Sequence, residues 1–267
     1  SDLSATQYEV DGRIKGEVFE YGSFTQSKMF AKGVTCTNCH NPHSTRLKLE
    51  GNAVCTQCHN PAGKTAAAGV DGAGLQAKDY DNPAHTHHPA GSKAAQCTAC
   101  HMPGKFYMGN DFRHDHSFSV PNPAQSAALG TPDACQGCHN DTQSARLIEQ
   151  FNAWYPDAKP HDGGYAVALQ AARNGTSGAA RGVLAQLQRT DLPALRRAAL
   201  LTELASYPSE PALNQISSAL KDPDPQVREA AVRALPSMAA PQQVAQQLPA
   251  LLRDPVLAVR LATTWEL

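Results

Sequence analysis

Cys36-Thr-Asn-Cys39-His40 is the stretch that decides how this chain is read, because its pattern returns three times. The other copies are Cys55-Thr-Gln-Cys58-His59, Cys97-Thr-Ala-Cys100-His101 and Cys135-Gln-Gly-Cys138-His139, and together the four use all eight cysteines. Each reads C-x-x-C-H, the attachment signature of c-type haem. The spacing has a chemical reason. Two cysteines three positions apart can each form a thioether to one vinyl group of the same porphyrin. The histidine that follows is then held where its imidazole reaches the iron.

Two other uses of paired cysteines compete: structural zinc sites with four thiolates each, and disulfides in an exported protein. Neither needs a histidine after every pair. Histidine makes up 11 of 267 residues. Filling four such positions by chance has a probability of roughly 3 in a million, which favours the haem signature. The expected cofactors are therefore four haem c groups.

Composition sets further bounds. The formal charge is −1, which gives no reason to expect a nucleic-acid partner, and haem propionates would make the loaded protein more acidic. No apolar run reaches the 18 residues of a membrane-spanning helix. A charged and then apolar export signal is also missing. Haem is attached to C-x-x-C-H outside the bacterial cytoplasmic membrane. The expectation is a periplasmic or extracellular protein whose export signal lies outside this sequence.

The chain changes character near residue 140. Residues 1–140 hold every cysteine and ten of the eleven histidines, among turn-forming Gly, Pro, Asn and Asp. Such a composition lacks the apolar side chains for a core, so four porphyrins are expected to be the core. Short helices are predicted at the motifs, a short strand over 17–21, and a helix over 22–30 leading into the first motif. Residues 141–267 are rich in Ala, Leu, Gln and Arg with helical periodicity. Pro193-Ala-Leu-Arg-Arg-Ala-Ala-Leu200 aligns with Pro225-Gln-Val-Arg-Glu-Ala-Ala-Val232 and with Leu257-Ala-Val-Arg-Leu-Ala-Thr-Thr264. A fixed step in this range signals a helical solenoid. Second helices are expected near 209–220 and 241–253, and two or three more helices over 142–190. The predicted fold class is mainly α: a loop-rich tetrahaem module over 1–140, then an α-helical solenoid over 141–267.

The repeats resemble HEAT repeats, in which an arginine at the position of Arg196, Arg228 and Arg260 has a structural role. The third copy ends inside a first helix, and a solenoid needs a capped end, so the natural protein is expected to continue past Leu267.

The stretch from Gly16 to Asp141 resembles a family of bacterial multihaem c-type cytochromes with C-terminal HEAT or tetratricopeptide repeats. The residues that carry the resemblance include Tyr21-Gly-Ser-Phe24, Gly33-Val-Thr-Cys-Thr-Asn-Cys-His-Asn-Pro-His-Ser44 and Gly51-Asn-Ala-Val-Cys-Thr-Gln-Cys-His59. They continue with His88-Pro-Ala-Gly-Ser92, Cys97-Thr-Ala-Cys-His-Met-Pro103, Tyr107-Met108, Asp115-His-Ser-Phe118 and Gly130-Thr-Pro-Asp-Ala-Cys135. The family is similar in haem packing to nitrite reductases and hydroxylamine oxidoreductases. Its members usually have further C-x-x-C-H motifs upstream, absent here, so the resemblance implies electron transfer more than any one reaction.

Each iron has two axial places. His40, His59, His101 and His139 fill four. His43, in the spacing C-x-x-C-H-N-P-H, points away from its own haem and is a candidate for a neighbour. The resemblance adds His116 and His88, and His85 is the next candidate in His85-Thr-His-His88. His87, His114 and His161 rank lower, and Met29 and Met102 read as packing residues. Arg113 is a candidate for a propionate partner, with Lys105 and Tyr107 nearby. Three functions follow: an electron carrier through closely packed bis-histidine haems, a haem-dependent reductase of a nitrogen or sulfur oxyanion, and a subunit of a polymeric extracellular haem chain. Redox partner proteins would meet haem edges or the solenoid face.

Overall fold

The computed structural model describes residues 3–17, 19–157 and 164–267. It is mainly helical and forms two compact units, one of Glu17–Ala158 and one of Ser1–Gly16 with Lys159–Leu267.

The haem-motif unit is built of short pieces. Its helices are α1 (Tyr21–Phe24), α2 (Lys28–Ala31), α3 (Cys36–Cys39), α4 (Ala53–Thr56), α5 (Pro83–Thr86), α6 (Cys97–His101), α7 (Pro123–Leu129) and α8 (Ser144–Trp154). Asn and Ser start several of them: Ser27 caps α2, Asn82 caps α5 and Asn122 caps α7 by accepting a backbone N–H. That is the use to which these residues are suited at a helix start. An antiparallel hairpin joins β1 (Gly104–Tyr107) to β2 (Asp111–His114). Met108 and Gly109 at its tip both have positive φ, the turn whose twist suits a two-stranded ribbon. The buried apolar side chains described in this unit are Phe24, Ala95, Tyr107 and Pro123.

The other unit is the expected solenoid. Its helices are α9 (Tyr165–Arg173), α10 (Ala179–Leu187), α11 (Ala194–Leu204), α12 (Glu210–Ala219), α13 (Pro225–Ala234), α14 (Pro241–Gln247) and α15 (Leu257–Glu266), with a 3₁₀ turn at Pro249–Arg253. The repeat positions Leu195, Val227 and Val259 are all buried. They place α13 between α11 and α15, with Leu200, Leu204, Ile216, Leu235 and Leu248 completing the core. Prolines stand at the starts of α12, α13 and α14, where a missing N–H costs nothing.

The repeated arginines tie the turns together. Arg228 makes a two-pronged pair with Asp254, Nε to Oδ2 at 2.7 Å and Nη2 to Oδ1 at 2.9 Å. It also donates to the carbonyls of Asp222 and Pro223. Arg260 donates to the carbonyls of Asp254 and Pro255. One repeat earlier, the bridge to Asp222 comes from Arg197, while Arg196 lies over the Tyr165 ring.

Three sequence expectations need correction. The units divide near residue 158, not 140: α8 belongs with the haem motifs, and residues 1–16 belong with the repeats. The carbonyls of Leu3 and Asp11 accept from Arg173 and Arg196, which fastens that segment. The helix over 22–30 is two helices broken at Thr25–Ser27, and the described residues of 17–21 form no strand.

Candidate functional site

Each motif is a single closed turn. The backbone N–H of the motif histidine donates to the carbonyl of the first cysteine in His40, His59 and His139, at 2.9, 3.0 and 2.9 Å. In the third motif His101 ends α6 itself. The turn carries both thiols and delivers the histidine one residue on. At the first motif Thr35 and Asn38 fix the start, Thr35 N–H donating to Asn38 Oδ1 at 2.7 Å. The fourth motif is a run of turns, not the helix expected.

No two of the eight cysteines are joined as a disulfide, so the disulfide reading has no support in the geometry. Among the described residues no three Cys, His, Asp or Glu side chains converge as a zinc shell needs.

The motifs adjoin one another in chain order. Burial raises the Cys39 thiol, and its neighbour Cys58 in the second motif raises it further. Cys55 is raised first by a hydrogen bond to Cys97 in the third motif. Burial and then Cys138 of the fourth motif raise Cys100. Burial, Asp133 and Cys100 push Cys135 up to about 12. Asn52 locks the middle step, accepting from Cys97 N–H at 2.9 Å and donating to Asp81 at 2.7 Å.

Three motif histidines each lie opposite a second histidine ring. His40 and His116 have ring centroids 6.3 Å apart with planes 34° from parallel. His101 and His85 are 6.3 Å apart and 5° from parallel. His139 and His88 are 6.2 Å apart and 32° from parallel. Two metal–nitrogen bonds of about 2 Å and two half-rings together span roughly 6 Å, so each pair fits one metal held between two imidazoles. A backbone carbonyl holds Nδ1 in four of these six rings: Thr45 for His40 at 2.7 Å, Thr86 for His88 at 2.6 Å, Ser119 for His101 at 3.0 Å and His114 for His116 at 2.9 Å. That bond fixes the tautomer and leaves Nε2 for a metal. His85 differs, with a buried Nδ1 that lacks a hydrogen-bond partner.

A ligating imidazole must be neutral, and the surroundings favour that. Desolvation lowers His101 and His116. It lowers His85 to about 4, with Lys78 and His101 as further causes. The donor set therefore fits haem c: paired thiols on each turn, and neutral imidazoles spaced for one metal.

Other candidates sit differently. His43 is exposed; its backbone N–H donates to Asn41, and no motif histidine faces its ring. His114 bonds Met102 O through Nδ1 at 2.6 Å, and its ring meets the edge of Phe112. His87 stacks on Trp154 at 4.3 Å. His161 lies outside the described residues. Arg113 is engaged by Asp111 at 2.6 Å and faces Tyr107, so a carboxylate of the chain occupies the guanidinium expected for a propionate. Lys105 also lies over Tyr107.

Sequence reasoning missed Tyr80 and Tyr155. Tyr80 meets His59 and His85 edge-on, and Tyr155 donates its hydroxyl to the His85 carbonyl. Neither has a motif, because their positions come from contacts between distant segments.

The doubled CXXCH motif family matches residues 28–64, over the first two motifs, and the HEAT repeat family matches residues 180–267. No curated protein and no solved structure matches the chain. The chain is similar to c-type cytochromes and carries HEAT repeats. The doubled motif supports covalent haem c attachment and electron transfer in general, and such repeats suggest binding to other proteins. Among the described residues no helix is long and apolar enough to cross a membrane.

Proposed function

We propose that this chain is a tetrahaem c-type electron carrier that works outside the cytoplasm. One observation carries the reading: the four attachment turns adjoin in chain order, first to second to third to fourth, with thiols of successive motifs as neighbours. Haems attached there would form a row, and a row of close redox centres suits conduction.

The three imidazole pairs support the same reading. Haem supplies reversible one-electron chemistry when bound. His40 with His116, His101 with His85, and His139 with His88 would each hold an iron on both faces, so little need reorganise as an electron passes. The resemblance to multihaem cytochromes agrees with this role. Attachment outside the cytoplasmic membrane supports the location, and the HEAT repeats supply a face for a redox partner.

The test is a haem count. Denatured protein should keep four haems by mass and release no zinc, and a redox titration should follow four one-electron centres. A free thiol pair in any motif would reduce the count and refute the tetrahaem reading.

A further inference from the structure

The repeats carry a groove that the haem chemistry does not use. It runs between α10 and α12. At one end is a cavity of about 350 Å³ lined by Leu187, Arg197, Leu201, Ser218 and Lys221. At the other is a cleft of about 540 Å³ lined by Arg181, Leu184, Pro211 and Asn214. Gln215 lines both, so the two are continuous.

The lining is cationic. Arg181 stands at the cleft and Lys221 at the cavity, both exposed. The one carboxylate among the described lining residues, Asp222, is taken by Arg197 at 2.9 Å and by the Asp224 N–H at 2.8 Å. Arg197 keeps a further donor, since its Nε is buried without an acceptor among the described residues. Between the two ends, Gln188 Nε2 donates to Gln215 Oε1 at 2.8 Å. That bond leaves the Gln215 NH2 group and the Gln188 carbonyl to meet a main chain. Leu184 and Pro211 beside them present apolar surface.

The spacing of the charges sets the size of the occupant. Pro211, in the cleft with Arg181, lies at the start of α12, and Lys221 lies just past its end. At about 1.5 Å per helical residue the two cations stand on the order of 15 Å apart. An extended chain advances about 3.3 Å per residue, so about five residues cover that distance.

We propose, resting on the reading that the repeats bind a partner, that this groove holds an extended acidic segment of a partner protein, with two carboxylates about five residues apart. One carboxylate meets Lys221 and the Arg197 Nε. The other meets Arg181, and the main chain between them crosses the glutamine pair. A redox partner held by such a segment is tethered at the solenoid, which leaves the haem edges free to pass electrons.

The test uses the whole holoprotein and fluorescein-labelled decapeptides of serine and threonine with a central leucine and two glutamates. The separation of the glutamates is stepped from about two to about eight residues, and binding is read by fluorescence anisotropy. Binding should be tightest at a separation of about five. Arg181→Gln and Lys221→Gln should each weaken that complex by about three- to fivefold, and the double variant by more. Both side chains are exposed, so the far-UV circular dichroism and Tm of the variants should match the native protein. No binding of any of the peptides, binding indifferent to glutamate separation, or unchanged binding in the variants would overturn the proposal. So would phosphatidylserine vesicles that bind where the peptides fail and are lost in the same variants, because the groove would then read an anionic surface and not a segment. The carrier reading is tested apart from this by the haem count, which neither substitution should change.

Discussion

Replacing Asp254 by asparagine removes the charge from the most enclosed ion pair of the solenoid. The side chains of Arg228 and Asp254 are 12% and 4% exposed, so water screens them little. Asp254 accepts both prongs of the guanidinium and, in addition, the Val256 N–H at 2.8 Å. Breaking a buried pair on one side costs about 3–5 kcal/mol. Arg228 keeps the carbonyls of Asp222 and Pro223 as acceptors, so the lower end applies, about 3 kcal/mol. For a unit of this size that is a fall in Tm on the order of 10 °C, read by far-UV circular dichroism. The double variant Arg228→Met, Asp254→Asn should lose less than the sum of the singles, because no charge is left stranded. The pH dependence has a definite sign. The Arg228 hydrogen bond holds the Asp254 carboxyl below its ordinary value. Its contribution is thus complete above the unfolded carboxylate pKa of about 3.9, and is lost as pH falls through the lower folded value. The gap between native and variant should be flat above about pH 5 and close as pH drops below about 4. A loss under about 1 kcal/mol, typical of exposed pairs, or a gap unchanged in acid, would refute the reasoning.

Other outcomes follow from the same structure. His116→Met should raise the potential of one haem and leave the others nearly fixed, because methionine favours reduced iron; a redox titration resolving the centres checks it. Protein made without haem attachment should lose the fold of residues 17–158 while the repeats stay helical, read by limited proteolysis with circular dichroism. Ile216→Ala, at a fully buried site, should cost about 2–5 kcal/mol of solenoid stability in urea unfolding, with the haem spectrum unchanged.

What the sequence made legible was whatever the chemistry keeps local. A thioether pair and its histidine must be contiguous, so four attachment turns can be read directly. Leu195, Val227 and Val259 repeat because each meets the same neighbour in its own copy, and all three are buried. The opposing histidines are another matter. His116 reaches His40 through turns held by backbone carbonyls, which any residue can supply, so nothing in residue type announces the pair. The boundary was misread for the same reason. Helix α8 has an amphipathic pattern that suits a solenoid, yet Trp154 and Tyr155 at its end pack on His87 and His85. Residues 1–16 lack a helical period and are fastened through the carbonyls of Leu3 and Asp11. Arg113 looked available because its partner Asp111 is two residues away on the same face of the same strand, where pattern reading sees only a charge cluster.

The two units obtain their order in different ways, and this bears on function. The repeats bury rows of Leu, Val and Ala, so their shape is independent of any cofactor. The haem-motif unit buries few apolar residues, Phe24, Ala95, Tyr107 and Pro123, and joins its short helices and hairpin by long loops tied by side-chain caps and asparagine turns. Ordering such loops costs conformational entropy that these few contacts do not offset. On the proposed reading covalent haem is the component that can: each porphyrin would bring apolar area, and each iron held by a second imidazole would tie a distant segment to its motif. His116, His85 and His88 would thereby act as both fold and wire. Removing one should loosen a loop as well as open an iron.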